Sequence, residues 1–251
     1  MSVAVAIRCA DGLVLGTDSQ GTSSVGNMFM LRSQLEKLHT LGDHIAYAAL
    51  GAQGLTQRIK RALEDQASAL TKERTREEAA DIIIRVANPL QKQALDRYVP
   101  VPGTGPEEWG AIFCGWGSGG AWMLEVGATA GYEFHNAFTA SGSAGAFAHS
   151  ALVSVRHYDM GTQSLMAAKL VAYRAIESAF EASANSIGPP VQLATVTEQG
   201  VHVLGKHELD NLRDIVYLLK DQERALLTSV SANAEEDALA DDARGISADE
   251  L

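Results

Sequence analysis

Cysteine is scarce in this sequence: Cys9 and Cys114 are the only two among 251 residues. Each lies inside an apolar run, which suits a small buried hydrophobe in a reducing compartment and excludes a disulfide-stapled scaffold. Long apolar runs are missing too. No stretch approaches the roughly 18–20 apolar residues that cross a bilayer, and the opening Met-Ser-Val-Ala-Val-Ala has neither the basic start nor the long apolar centre of a signal peptide. No membrane contact and a cytoplasmic location are the expectation. Basic charge is also short, with 20 Lys and Arg against 31 Asp and Glu for a net charge of −11. Phosphate binding needs clustered positive charge, so nucleic acid is not an expected partner. The seven histidines form no His-x-x-x-His pair or Cys/His ligand set, so neither a metal nor a cofactor is expected.

The acidity that is present is unevenly placed. Seven acidic residues stand against Arg244 alone in residues 231–251, a stretch rich in Ala, Asp and Glu and without aromatics. Its composition predicts a disordered tail. The remaining chain, 46% hydrophobic when counted over its full length, is long enough to bury the core of one domain over residues 1–230.

Val3, Val5 and Ile7 alternate with small residues, Asp11-Gly12 makes a turn, and Leu13-Val14-Leu15 resumes the apolar run, so a β-hairpin opens the chain. A second strand pair is read at 27–31 and 37–41, followed by a strand from His44 to Ala49. Helical spacing then begins, with Leu55, Ile59, Leu63 and Leu70 on one face. Thr75-Arg76-Glu77-Glu78 has the form of a capping box for a second helix with Ile82, Ile83, Val86 and Leu90 as its stripe. Strands are read at 109–114, 121–126 and 132–139, helices at 142–155 and 163–182, strands at 191–197 and 201–204, and a helix at 208–227. Strand runs interleaved with helix pairs predict stacked sheets with helices outside. Gly115-Trp116-Gly117-Ser118-Gly119-Gly120 lacks a following Lys-Ser/Thr and is read as a hairpin turn, not a phosphate loop.

Chemistry enters at Ser2. A small residue after Met1 permits methionine removal, and an N-terminal serine then carries its own base, because a free α-amine titrates at about 7.7–8. Asp18 follows sixteen residues later in Gly16-Thr17-Asp18-Ser19-Gln20-Gly21-Thr22, Lys37 stands in Glu36-Lys37-Leu38 with Arg32 as the competing cation, and Ala49-Leu50-Gly51-Ala52-Gln53 ends a strand before a helix. In this order the four features resemble the proteasome β-subunit family and its bacterial HslV-type relatives, over nearly residues 1–227. The Asp18-x-Gln20 pattern is similar to the HslV branch in particular.

That resemblance implies an α+β fold of four αββα layers, two mainly antiparallel sheets between helix pairs, as in N-terminal nucleophile hydrolases. It implies Ser2 as nucleophile, Asp18 as anchor of lysine and amine, Lys37 as the cation that favours the ionised hydroxyl, and the Gly51 N–H as oxyanion donor. Ser143, in Ser141-Gly142-Ser143-Ala144-Gly145, resembles the serine that supports the nucleophile. Gly21 and Thr22 would bind substrate backbone, and Ala49 and Gln53 would line a roomy pocket for the residue before the cleaved bond. The family's later aspartate and serine have no clean counterpart in Ala184-Asn185-Ser186-Ile187-Gly188, where Asn185 or Ser186 would have to substitute. The implied activity is hydrolysis of peptides or unfolded proteins inside a homo-oligomeric double ring of about twelve to fourteen subunits, with an unfoldase partner left open. An N-terminal nucleophile amidase on small substrates and a catalytically silent ring scaffold are the competing readings.

Overall fold

The structure, a computed structural model, describes residues 2–25, 28–100, 105–128, 131–183 and 187–245, and does not describe the side chains of 22–33 and 231–245. The chain divides into two units, Met1–Leu209 and Asp210–Leu251. In the first unit, Ala4–Cys9 (β1) and Gly12–Thr17 (β2) form the expected opening hairpin, with Ala4 opposite Thr17 and Cys9 opposite Gly12. β1 also pairs with Phe138–Ser141 (β10), and β2 with Gln192–Thr197 (β11), which in turn pairs with Gly200–Val203 (β12). The result is an antiparallel five-stranded sheet in the order β10-β1-β2-β11-β12.

A second antiparallel five-stranded sheet runs Leu38–Leu41 (β5), Ile45–Gly51 (β6), Trp109–Gly117 (β7), Gly120–Val126 (β8) and Tyr132–His135 (β9). Gln20–Val25 (β3) and Met28–Gln34 (β4) make a separate two-stranded ribbon between them in sequence. This ribbon differs from the sequence reading, which joined residues near 27–31 to those near 37–41. Period-two patterning alone does not choose a partner strand.

The sheets face each other across an aliphatic core: Ala4, Ala6, Ala46, Ala48 and Ala194 pack with Leu13, Leu15 and Ile112. Gln53–Glu64 (α1) and Arg76–Asp96 (α2) cover the outer face of the second sheet. There the core is larger, with Leu55, Ile59, Leu63 and Ile83 against Tyr47, Trp109 and Phe113. Gly145–Ser154 (α3) and Leu165–Ala182 (α4) cover the first sheet, α4 lying on β1 and β2. The architecture is therefore the four-layer αββα sandwich.

The capping box is formed: Glu78 N donates to Thr75 Oγ1 at 3.2 Å while Thr75 N donates to Glu78 Oε2 at 2.9 Å. The strand read over 132–139 is in fact two, β9 and β10, which belong to different sheets. Thr139 Oγ1 on β10 donates to Glu125 Oε2 on β8 at 2.7 Å, tying the sheets where the chain crosses. The last helix, Lys206–Gly245 (α5), runs well beyond residue 227. Ala, Leu and Glu are strong helix formers, which suits the continued helix. Among the described residues no helix is long and apolar enough to cross a membrane.

Candidate active site

The site is assembled at the ends of strands. β1 and β2 meet with Ala4 opposite Thr17, so the residues just outside that pair, Val3 and Asp18, are neighbours. Val3 N donates to Asp18 Oδ1 at 3.1 Å, and Thr17 Oγ1 returns a bond to Val3 O at 2.8 Å. Gln20 N donates to Asp18 Oδ2 at 3.1 Å. The Asp18 carboxylate is fully buried and fixed by backbone donors on both oxygens. Its spacing from Ser2 thus follows from the length of one hairpin.

Lys37 arrives from the other sheet, one residue before β5. Its Nζ lies 2.8 Å and 2.9 Å from the two Asp18 oxygens and donates to Ser2 Oγ at 3.1 Å. Lys37 is only 7% exposed and Ser2 only 6%. Burial pushes the Lys37 ammonium below the ordinary lysine range, while the charge and hydrogen bonds of Asp18 pull the other way. A buried ion pair of this kind costs desolvation and needs accurate partners to repay it. It places a positive charge beside a hydroxyl. Such a charge favours the alkoxide form.

Ser143 supplies the third side of the cluster. Ser2 N donates to Ser143 Oγ at 3.0 Å, and Ala144 N donates to Ser2 O at 3.2 Å. This arrangement requires the backbone of Gly142 to press against Ser2. Gly142 has φ +98°, and a Cβ there would lie inside contact distance of Ser2 O. Gly51 closes β6 with φ +105°, where a Cβ would strike Glu108 O, and Ala52 N donates to that same oxygen at 2.8 Å. Both positions demand glycine.

A cavity of about 370 Å³ opens beside Ser2, and its described lining includes Gly51, Gly142, Ser143, Leu50, Trp109 and Val126. The structure thus brings Ser2, Asp18, Lys37 and Ser143 into one hydrogen-bonded cluster with Gly51 on the adjoining cavity wall. Ala49 and Gln53 are not part of that lining among the described residues. Ala49 is 4% exposed in the core under α1, and Gln53 is exposed at the start of α1. Gly21 and Thr22 lie on β3, facing Ser33 and Arg32 of β4 in register. Met1, Asn185, Ser186 and the Arg32 side chain fall outside what the structure describes.

Gln192 was not singled out in the sequence. Its Oε1 accepts from Lys37 N at 3.1 Å and Leu38 N at 3.0 Å, while its Nε2 donates to Leu35 O at 2.6 Å. A lone glutamine at the head of an apolar strand gives no signal of such a role. The cysteines take no part: burial raises both thiols, Cys114 strongly, which makes them inert. Among the described residues no group of three or more His, Cys, Asp and Glu side chains could hold a metal ion.

Three kinds of comparison bear on the family and the fold. A β-subunit of the proteasome from Methanococcus aeolicus is 27% identical over 216 residues, covering 85% of this chain and 92% of that protein. One from Methanococcus maripaludis is 26% identical over 209 residues, covering 82% and 88%. A solved structure of an Anbu (Gly-1) mutant from Hyphomicrobium sp. strain MC1 superposes with a TM-score of 0.69, covering 92% of this chain and all of that one. At 16% identity that likeness speaks for the fold alone. The family model described as "Proteasome subunit" matches residues 2–195, which hold both halves of the sandwich and every member of the Ser2 cluster. The chain belongs to the proteasome subunit family.

Proposed function

We propose that the protein is a peptidase whose nucleophile is Ser2, unmasked by removal of Met1, and that it works in a closed ring assembly. The observation that carries this reading is the Lys37 ammonium 3.1 Å from Ser2 Oγ and 2.8 Å from Asp18. In the mature chain the Ser2 nitrogen becomes an α-amine. Near neutrality this amine accepts the hydroxyl proton as Oγ attacks a peptide carbonyl, because its pKa is about 7.7–8. Lys37 favours the ionised oxygen and, by repulsion, the neutral amine. Ser143 Oγ holds the nitrogen in place, and the Gly51 N–H receives the developing oxyanion. The proton then passes to the leaving amine, and water cleaves the resulting ester to free the acid and Ser2.

Substrate is taken up as an added strand along Gly21 and Thr22, with its reacting carbonyl in the cavity beside Ser2 that Leu50, Gly51 and Gly142 line. The Asp18-x-Gln20 pattern, in which Gln20 N holds Asp18, supports a place near the HslV-type peptidases. Unfolded protein is the substrate class that suits a ring. Exposed Phe147 and Val153 on α3 and Met166 on α4 supply apolar surface for contact between copies.

A peptide epoxyketone, which must capture both the hydroxyl and the free amine, tests the mechanism. Adduct formation on the fragment beginning at Ser2, with loss of peptide turnover, is the expected result. Protein lacking Met1 that neither forms the adduct nor cleaves peptides would refute it, and so would full activity in protein that retains Met1.

A further inference from the structure

Lys37 has to reach Ser2 and Asp18 from a different sheet, yet it sits in no strand. It lies in the three-residue segment Leu35–Lys37 between β4 and β5. A lysine side chain has about 2 kcal/mol of rotamer entropy to lose on being fixed, and its backbone must be held if its ammonium is to be placed to within a few tenths of an ångström. The bonds of that segment show what holds it. Leu35 N donates to Ser19 O at 2.7 Å, Ala49 N donates to Lys37 O at 2.8 Å, and all the bonds described for the Lys37 and Leu38 amide nitrogens go to one side chain. That side chain is Gln192.

Gln192 is placed by the same strand that carries Asp18. In register it lies opposite Thr17 of β2, immediately before Asp18, so its backbone is fixed relative to the carboxylate by sheet pairing. Its amide group then reaches across to the second sheet. One oxygen takes two amide protons and one nitrogen gives a proton to Leu35 O at 2.6 Å, so both ends of the segment are clamped. The amide must be in this orientation, because only a carbonyl oxygen can accept from Lys37 N and Leu38 N. With Asp18 and Lys37 each tied to one residue, the two sheets cannot slide at this point without breaking three bonds.

We infer that Gln192 is the positioning residue for Lys37: it fixes the lysine's distance to Ser2 Oγ by coupling the Lys37 segment to the strand that bears Asp18. The inference builds on the peptidase reading, since it concerns that reaction's lysine, but its geometric content stands apart from activity. Glutamine suits the task where glutamate does not, because the Nε2 donor is needed at Leu35 O and a carboxylate there would face a carbonyl oxygen.

Gln192→Met keeps the length of the side chain and removes all three bonds, whereas Gln192→Glu keeps the two acceptor bonds and loses the donor. In Gln192→Met, kcat for a fluorogenic peptide is expected to fall about a hundredfold with KM nearly unchanged, the effect of roughly an ångström of misplacement. Gln192→Glu is expected to fall between the two. A purely structural role would lower the melting temperature and leave kcat per folded molecule intact. A crystal structure of Gln192→Met supplies a readout independent of activity. Lys37 Nζ should leave hydrogen-bond distance of Ser2 Oγ while Asp18 keeps its bonds to Val3 N and Gln20 N. The inference is overturned if Lys37 Nζ stays within 3.1 Å of Ser2 Oγ, the native separation, or if kcat in folded Gln192→Met lies within twofold of the parent. A parent protein that cleaves no peptide would remove the peptidase reading alone, and the Lys37–Ser2 distance in the variant would still decide the positioning role.

Discussion

Between the two sheets the buried side chains are aliphatic, with the fully buried Ala4, Ala6, Ala46, Ala48 and Ala194 set among Leu13, Leu15, Leu38, Leu50, Ile112, Met123 and Val196, whereas between the second sheet and its helices aromatic rings join the packing. Tyr47 stacks on Phe113 with ring centroids 5.0 Å apart, and Trp109 meets Phe113 edge-on. The difference has a consequence for the site. Ser2 and Asp18 belong to one sheet and Lys37 to the edge of the other, so the separation of the sheets sets the separation of the reacting groups. The five alanines let the strands of the two sheets approach closely where they meet, and they have no rotamers to exchange. The helix layer carries no such duty. It supplies apolar burial with irregular shapes that repacking can absorb. One layer governs distance, the other stability.

The sharpest way to break that contrast is at the point where both sheets meet. Lys37→Met and Asp18→Asn are each expected to lower peptide turnover by about a thousandfold or more, because residues acting as a unit fail together. The double variant should be little worse than either single one. Neither change is silent for folding. Asp18 is fully buried and paired with Lys37, and removing one member of a buried pair costs about 3–5 kcal/mol. Turnover must therefore be measured per folded molecule, with denaturant curves alongside. Normal rates in either single variant would detach the cluster from the chemistry.

Gly142→Ala probes the same contact by strain. Its φ of +98° disfavours any side chain, and the added Cβ would push on Ser2 O. A fall in kcat of about a hundredfold is expected, as for a displaced nucleophile, with the overall fold retained by circular dichroism. Unchanged kcat would show that Ser2 tolerates movement.

The two layers can then be set against each other directly. Ile83→Ala on α2 empties a fully buried position under the second sheet and should cost about 2–5 kcal/mol while leaving kcat of the folded protein unchanged. Ala6→Leu inserts bulk between the sheets. It should cost only about 1–3 kcal/mol, yet lower kcat at least tenfold by forcing the sheets apart. If the smaller stability loss did not bring the larger activity loss, the division of labour would be wrong.

What the sequence disclosed follows from how local each feature is. The opening hairpin, the Thr75 capping box and the helix pairs are written in short patterns, and they stand where those patterns put them. Ser2 and Asp18 were legible through family resemblance, and the short hairpin that joins them keeps their spacing local. Lys37 was legible by the same route but less directly, since a ribbon of two strands intervenes and its register is set by pairing rather than by spacing. Gln192 was not legible at all: its role depends on a contact with residues some 155 positions away in the chain. The switch of β9 and β10 between sheets was hidden for a similar reason, because both strands show the same alternation whichever sheet accepts them. Likewise, α5 ran past its expected end because helix propensity and acidic composition point in opposite directions there.

The smallest effect concerns a polar residue on the larger, helix-facing side. His39 on β5 is 7% exposed, lies opposite Tyr47 in register, and has no hydrogen-bond partner for either ring nitrogen among the described residues. Burial lowers its pKa to about 4, with Lys60 adding repulsion and Glu36 opposing it. In the unfolded chain the ring titrates near its ordinary value of about 6.5. Between those two values the unfolded state binds more protons than the folded state, so stability falls as pH falls through that window and is unaffected by this group above it. Native protein should therefore lose roughly 2 kcal/mol through His39 between pH 7 and pH 5. His39→Phe keeps a ring beside Tyr47 and removes the proton site. The difference in unfolding free energy between the two proteins, measured in urea at both pH values, should shift in favour of the variant at pH 5. Because other groups titrate identically in both, that difference isolates the histidine. A difference that is the same at both pH values would mean that His39 finds a partner for its proton, and that the helix-facing layer is less dry than its aromatic packing implies.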